Sequence, residues 1–131
     1  MTKVCSNIVA VTDVPANRRR GGDVRSVLTP TTVGSTSGFM GTAELRAGEV
    51  VTEHYHPYSE EFLFVVAGRL TVRLDDVEHH VEAGSGVFIP IGTRHRLHNG
   101  ADDTARCVFH LSPLAPRPDL GHVDTEVSPT S

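Results

Sequence analysis

Tryptophan is missing from this 131-residue chain, and tyrosine and cysteine occur only twice each. The two cysteines, Cys5 and Cys107, have no C-x-x-C spacing, which excludes a disulfide framework and a thiolate zinc or redox motif. Long apolar runs are lacking as well. The longest, Phe62 to Ala67, is six residues, far below the ~18 that a membrane helix needs. Nor is there an excess of positive charge: 12 Lys and Arg against 16 Asp and Glu leave a net −4, so no sequence-wide attraction to nucleic acid or anionic membrane is expected. The Arg18-Arg19-Arg20 cluster follows the weakly apolar stretch from Ile8 to Val11. That order is the reverse of a secretory signal, and a cytoplasmic protein is expected. Helix-period apolar patterning of useful length is also absent.

What is present is a series of short segments, apolar at period two or continuously, separated by glycine, proline or aspartate. They predict an all-β domain, of a size that can bury its own core. The expected strands are residues 4–11, 24–28, 38–46, 50–55, 60–67, 69–74, 77–82, 86–89, 94–98 and 105–111. Residues 69–74 alternate strictly, and Asp75-Asp76 turns the chain into the next strand. Residues 62–66 are apolar on both faces, so something is expected to cover the outer one. Four of the eight prolines (Pro113, Pro116, Pro118, Pro129) fall in the last 19 residues. The compact domain is therefore placed at residues 1–111 and an extended Pro-rich tail at 112–131.

Eight histidines are many for this composition, and their spacing carries chemistry. Gly48 is followed by His54, His56, Glu61 and Gly68; farther on, Gly84 is followed by Pro90, Gly92, His95 and Asn99. Positions i and i+2 of a strand face one side, so His54 and His56 present two imidazoles to one spot. Pro57 and Tyr58 then turn the chain so that Glu61 opens the next strand beside them. Three imidazoles and a carboxylate form a borderline N/O donor set for Fe, Mn, Ni, Cu or Zn, with one or two positions left for water or substrate.

These two clusters match the motifs G-x5-H-x-H-x4-E-x6-G and G-x5-P-x-G-x2-H-x3-N, and on them the chain resembles the cupin superfamily. The resemblance implies a single-domain double-stranded β-helix, a jelly-roll barrel, holding one divalent metal through His54, His56, Glu61 and His95. Zinc is the first expectation for the isolated protein, with iron, nickel or manganese as alternatives. A narrower likeness runs through residues 17–23, 32–41, 53–62 and 108–118 and reaches Gly121-His122-Val123-Asp124. There the chain is similar to the cupin-type cyclases of aromatic (type II) polyketide pathways, of the tetracenomycin and resistomycin kind. That likeness implies aldol-type ring closure and aromatisation of a poly-β-ketone presented by a carrier protein.

Phe39, Met40, Leu63, Val65, Leu97 and Phe109 are candidates for the substrate-folding wall, each equally readable as barrel core. His110 is ranked first as the catalytic base. Alternatively it is a fourth imidazole ligand that frees Glu61 to act as base. His98, three residues from His95, should face away from the metal; His79, His80 and His122 are given no role. The Arg18-Arg19-Arg20 cluster is a candidate contact for an acidic carrier protein or its pantetheine phosphate. A homodimer is expected to cover the outer face of residues 62–66. Two other functions fit the same residues: a cupin oxygenase acting on an aromatic or quinone substrate, and a non-catalytic accessory module of a polyketide synthase complex.

Overall fold

A computed structural model describes residues 6–127. Among these residues ten strands form two five-stranded antiparallel sheets facing each other. The first sheet holds, in spatial order, β1 (Asp23–Leu28), β2 (Phe39–Leu45), β9 (Ala105–Ser112), β4 (Glu60–Ala67) and β7 (Gly86–Ile89). The second holds β10 (Val123–Asp124), β3 (Val50–Tyr55), β8 (His95–His98), β5 (Arg69–Leu74) and β6 (Val77–Glu82). Expected strands from β1 to β9 thus appear within a residue or two of their expected bounds. Among the described residues no helix is long and apolar enough to cross a membrane.

Local chemistry explains the punctuation. Asp75 and Asp76 both adopt positive φ (45° and 73°), the left-handed pair that a two-residue hairpin between twisted strands requires. Arg94 reads that turn through its backbone N–H to Asp75 Oδ1 (3.0 Å) and its guanidinium to Asp76 (2.9 Å). Gly68 carries the chain from β4 in one sheet to β5 in the other. It has φ 70°, and a Cβ there would lie 2.8 Å from the Thr104 carbonyl oxygen, so only glycine fits. Asn99 is fully buried: its amide donates to the carbonyls of Leu45 (2.9 Å) and Asp103 (2.8 Å) and accepts from the Ala101 N–H (3.0 Å). The asparagine that ends the second motif is therefore a structural bracket for the turn into β9, remote from the histidines in role.

Inward residues alternate with outward ones along β2, β4 and β9. Leu45, Val65, Val72, Ala105 and Cys107 are the sealed centre of the core. β3 breaks the alternation. Val51 pairs with Leu97 but His54 pairs with His95, so three steps on β3 match two on β8. This one-residue bulge at Thr52 and Glu53 turns Val51 into the core and His54 inward as well.

Three features depart from the sequence expectations. Residues 6–10 of the expected strand 4–11 are irregular, residues 4 and 5 lie outside the described part, and Val11–Asp13 form a 3-10 turn. Ile8 is 86% exposed, and beside β1 it is Asn17 that bridges to Val24. Pro30–Val33 form a one-turn helix (α1). Thr29 caps it by exchanging hydrogen bonds with Thr32, Pro30 occupies its first turn, and Gly34 ends it at φ 72°. The chain beyond Leu111 lacks long regular elements but does not leave the barrel: β10 pairs with β3 (Val123 with Tyr55, Asp124 with His54).

Candidate metal centre

Four side chains converge at one end of the barrel. His54 comes from the end of β3 and His56 from the residue just beyond it, His95 from the start of β8 and Glu61 from the start of β4. The Pro90-Ile91-Gly92 turn, with Gly92 at φ 80°, delivers His95, and the Gly92 N–H donates to the His56 carbonyl (2.9 Å). The three imidazoles offer nitrogen atoms that all lie within 4.8 Å of one another, the one such group of three or more potential ligands among the described residues. Their ring centroids are 4.4 to 5.1 Å apart.

Each ring is oriented by a backbone carbonyl that accepts from its Nδ1: Thr52 for His54 (2.7 Å), Thr93 for His95 (2.9 Å) and Gly121 for His56 (2.9 Å). A proton on Nδ1 leaves Nε2 of a neutral ring with its lone pair turned into the site, the arrangement that a carbonyl accepting from the far ring nitrogen imposes on metal-binding histidines. Burial, then the neighbouring His95, push His54 down to about 3, so that ring is neutral at physiological pH. Burial would raise the Glu61 carboxyl, but contacts with His56 and His95 outweigh it and hold the group below the ordinary carboxylate range. Burial would lower His95, but Glu61 beside it turns the net shift upward.

Glu61 Oε1 lies 3.2 Å from Nε2 of both His56 and His95. Even so, Glu61 Oε1 and His95 Nε2 are buried without a hydrogen-bond partner. With protons on the Nδ1 atoms, lone pairs of oxygen and nitrogen face each other across the site. A cation satisfies all of them at once, so this donor set fits a divalent metal.

The surroundings follow from register. At the level of the cluster the first sheet contributes Phe39, Leu111, Glu61 and Ile89 side by side, and the second contributes Leu74, His95 and His54. One layer deeper lie Phe109, Leu63 and Leu97, with Val65 deeper still in the core. Phe39 packs edge-on against Phe109, ring centroids 6.3 Å apart. Of the expected wall residues, Phe39 stands at the site, Phe109, Leu63 and Leu97 form the layer beneath it, and Val65 is plain core. Ile89 and Leu111, absent from the candidates, are at site level; their strict alternation with outward neighbours could have marked them.

Two expectations are corrected. Met40 pairs with His110, and His110 with Phe62, on the outward face of the first sheet. Met40 is 40% exposed there and so is no part of the inner wall. His110 stacks near Phe62 (centroids 6.1 Å) while its neighbour Leu111 faces Glu61. Strand parity therefore puts His110 on the far side of the sheet from the cluster, out of position as base or ligand. His98 alternates away from the inward His95 and Leu97 as expected, and His79 and His80 are exposed. His122 is half-buried; burial, then Arg20, hold it below its ordinary value, and His56 is among its electrostatic neighbours. Arg19 and Arg20 are engaged with Asp124 (3.1 and 2.6 Å), and Arg18 contacts Asp23 (3.3 Å).

Comparison with known proteins agrees with this architecture. The cupin domain model matches residues 41–111. Protein SchB of Streptomyces halstedii is 64% identical over 126 residues, 96% of this chain and 91% of that protein. Tetracenomycin polyketide synthase protein TcmJ of Streptomyces glaucescens is 50% identical over 121 residues, 92% of this chain and 81% of that protein. In fold, the polyketide cyclase RemF of Streptomyces resistomycificus superposes with a TM-score of 0.73 at 22% identity, over 95% of this chain and 89% of that one. The barrel, its two histidine motifs and relatives matched over nearly the whole length agree: the chain belongs to the cupin family.

Proposed function

We propose that this cupin is a metal-dependent polyketide cyclase that closes and aromatises a ring on a poly-β-ketone. The observation that carries the reading is the extent of the relationship to the tetracenomycin synthase protein, which covers 92% of the chain and so reaches well beyond the metal motifs. His54, His56, His95 and Glu61 would hold the metal, zinc first, with iron, nickel or manganese as alternatives. When bound, the cation supplies Lewis-acid stabilisation of the negative charge that builds on a 1,3-dicarbonyl.

The chain supplies the rest. Phe39, at the level of the cluster with Ile89 and Leu111 packed beside it, would be the apolar group against which a flexible ketone chain folds, bringing one carbon acid near one carbonyl. Glu61 is ionised at neutral pH and faces the cluster. Its carboxylate either completes the donor set or accepts the methylene proton. Aldol closure followed by loss of water moves protons and no net electrons. Turnover with a minimal polyketide synthase, whose carrier protein presents the chain, is therefore expected to stop with chelator and to resume with zinc under strict anaerobiosis. A product profile that changes only when air is admitted overturns the cyclase in favour of the oxygenase. Full product formation after chelation favours the accessory module.

We also assign the outer face of the first sheet to a second copy of the chain. Phe62, Phe64, Val66 and Phe88 are each 44 to 50% exposed there, with Met40 beside them, an apolar strip that is costly to leave in water. Sedimentation at micromolar concentration is expected to give twice the monomer mass, and Phe62→Asp/Phe64→Asp the monomer. A wild-type monomer overturns the dimer.

A further inference from the structure

Two of the three imidazoles are oriented by chain immediately beside them: the carbonyls that accept from His54 and His95 belong to residues two positions earlier, Thr52 in β3 and Thr93 in the turn before β8. His56 is different. Its Nδ1 partner is the carbonyl of Gly121, 65 residues away in the C-terminal segment. We propose that residues 121–126 are a strap whose docking positions His56, with Asp124 and Arg20 as positioning residues for that ring; the proposal rests on reading the cluster as a metal centre.

The strap is pinned along its length by named contacts. Asp124 takes Arg20 Nε at 2.6 Å and Arg19 at 3.1 Å. The Thr125 N–H donates to the Glu53 carbonyl (3.0 Å) and its hydroxyl to the Glu53 carboxylate (2.7 Å). Glu126 accepts from the Glu53 N–H (2.7 Å) and from Arg96 Nε (3.0 Å). Through the bulge at Thr52 and Glu53, the strap thus grips the stretch of β3 that delivers His54 and His56.

These side-chain bonds are part-buried or exposed, and none is sealed in the core. β10 is two residues long and exposed, and the Arg20–Asp124 pair is partly solvated. A two-residue edge strand held by partly exposed ion pairs and hydrogen bonds opens at lower free energy than the core. His56 is therefore the one imidazole whose orientation depends on a segment that can leave. By linkage, whatever the third imidazole contributes to holding a ligand at the cluster is returned as strap docking.

The test is Asp124→Asn in the full-length protein, read first by the imidazole nitrogen resonances without metal. In the wild type, His54, His56 and His95 are expected to carry the proton on Nδ1. In the variant His56 alone should lose that preference while strap amides exchange faster, and Asp124→Glu should restore both. Affinity for zinc, measured by chelator competition, should fall about 10- to 100-fold. Arg20→Gln breaks the same pair from the barrel side and takes over if Asp124→Asn does not fold. His56 keeping its Nδ1 proton while the strap exchanges faster overturns the proposal. So does unchanged strap exchange in both Asp124→Asn and Asp124→Asn/Glu126→Gln, because the ion pairs then do not hold the segment. A wild type that binds no zinc counts against the proposed function instead, and the tautomer of His56 still decides the strap.

Discussion

Replacing His54 and His56 together by alanine is expected to take bound metal from about one equivalent per chain to background in elemental analysis. The double substitution leaves His95 and Glu61 as the only donors at the cluster, too few to hold a first-row divalent ion against water. His79→Ala/His80→Ala is the matched control, since both rings are exposed on β6; its metal content should equal wild type. Stoichiometric metal retained in the His54/His56 variant places the site elsewhere. The apolar layer beneath the cluster, Leu63, Leu97 and Phe109, is untouched by the change, so the barrel is expected to remain folded.

Glu61→Gln is expected to lower ring-closing turnover by about 10²- to 10⁴-fold, the range that loss of a proton-transfer group or of a bound cation's support spans. Glutamine keeps the shape of the side chain and removes its charge and most of its basicity. The metal content of the same variant separates the two roles that the geometry allows. If metal is lost in parallel with turnover, Glu61 is the fourth ligand. If metal stays and turnover falls, the carboxylate moves the proton. Turnover within twofold of wild type removes Glu61 from the mechanism. His110→Ala, on the opposite face of β9 beside Phe62, is expected to leave ring closure and metal content unchanged.

Much of this was legible in the chain because strand chemistry is local. Alternation set which residues of β4, β5 and β9 share a face, and Asp75-Asp76 and Gly68 marked turns whose backbone angles few other residues accept. The spacing of His54, His56, Glu61 and His95 named the cluster, since two motifs that each close a strand end put their side chains at one mouth of the barrel. What parity along a single strand could not supply was which of the two faces is the inner one. His110 and Met40 alternate as regularly as Phe109 and Phe39, and only pairing with Phe62 on one side and Glu61 on the other assigns the faces.

The bulge on β3 is a decision of the same kind. Val51 and His54 are three residues apart, an odd offset that predicts opposite faces, and both point inward because an extra residue is accommodated against β8. The last segment was beyond local reading altogether. Its prolines and short polar stretches describe a chain without regular structure, and nothing near Gly121 or Asp124 in sequence indicates the partners found in space. Those partners, His56, Arg20, Glu53 and Arg96, lie between 30 and 104 residues away. Contacts of that span exist only once the two sheets have closed, so tertiary structure alone decided that the tail docks beside the histidine cluster.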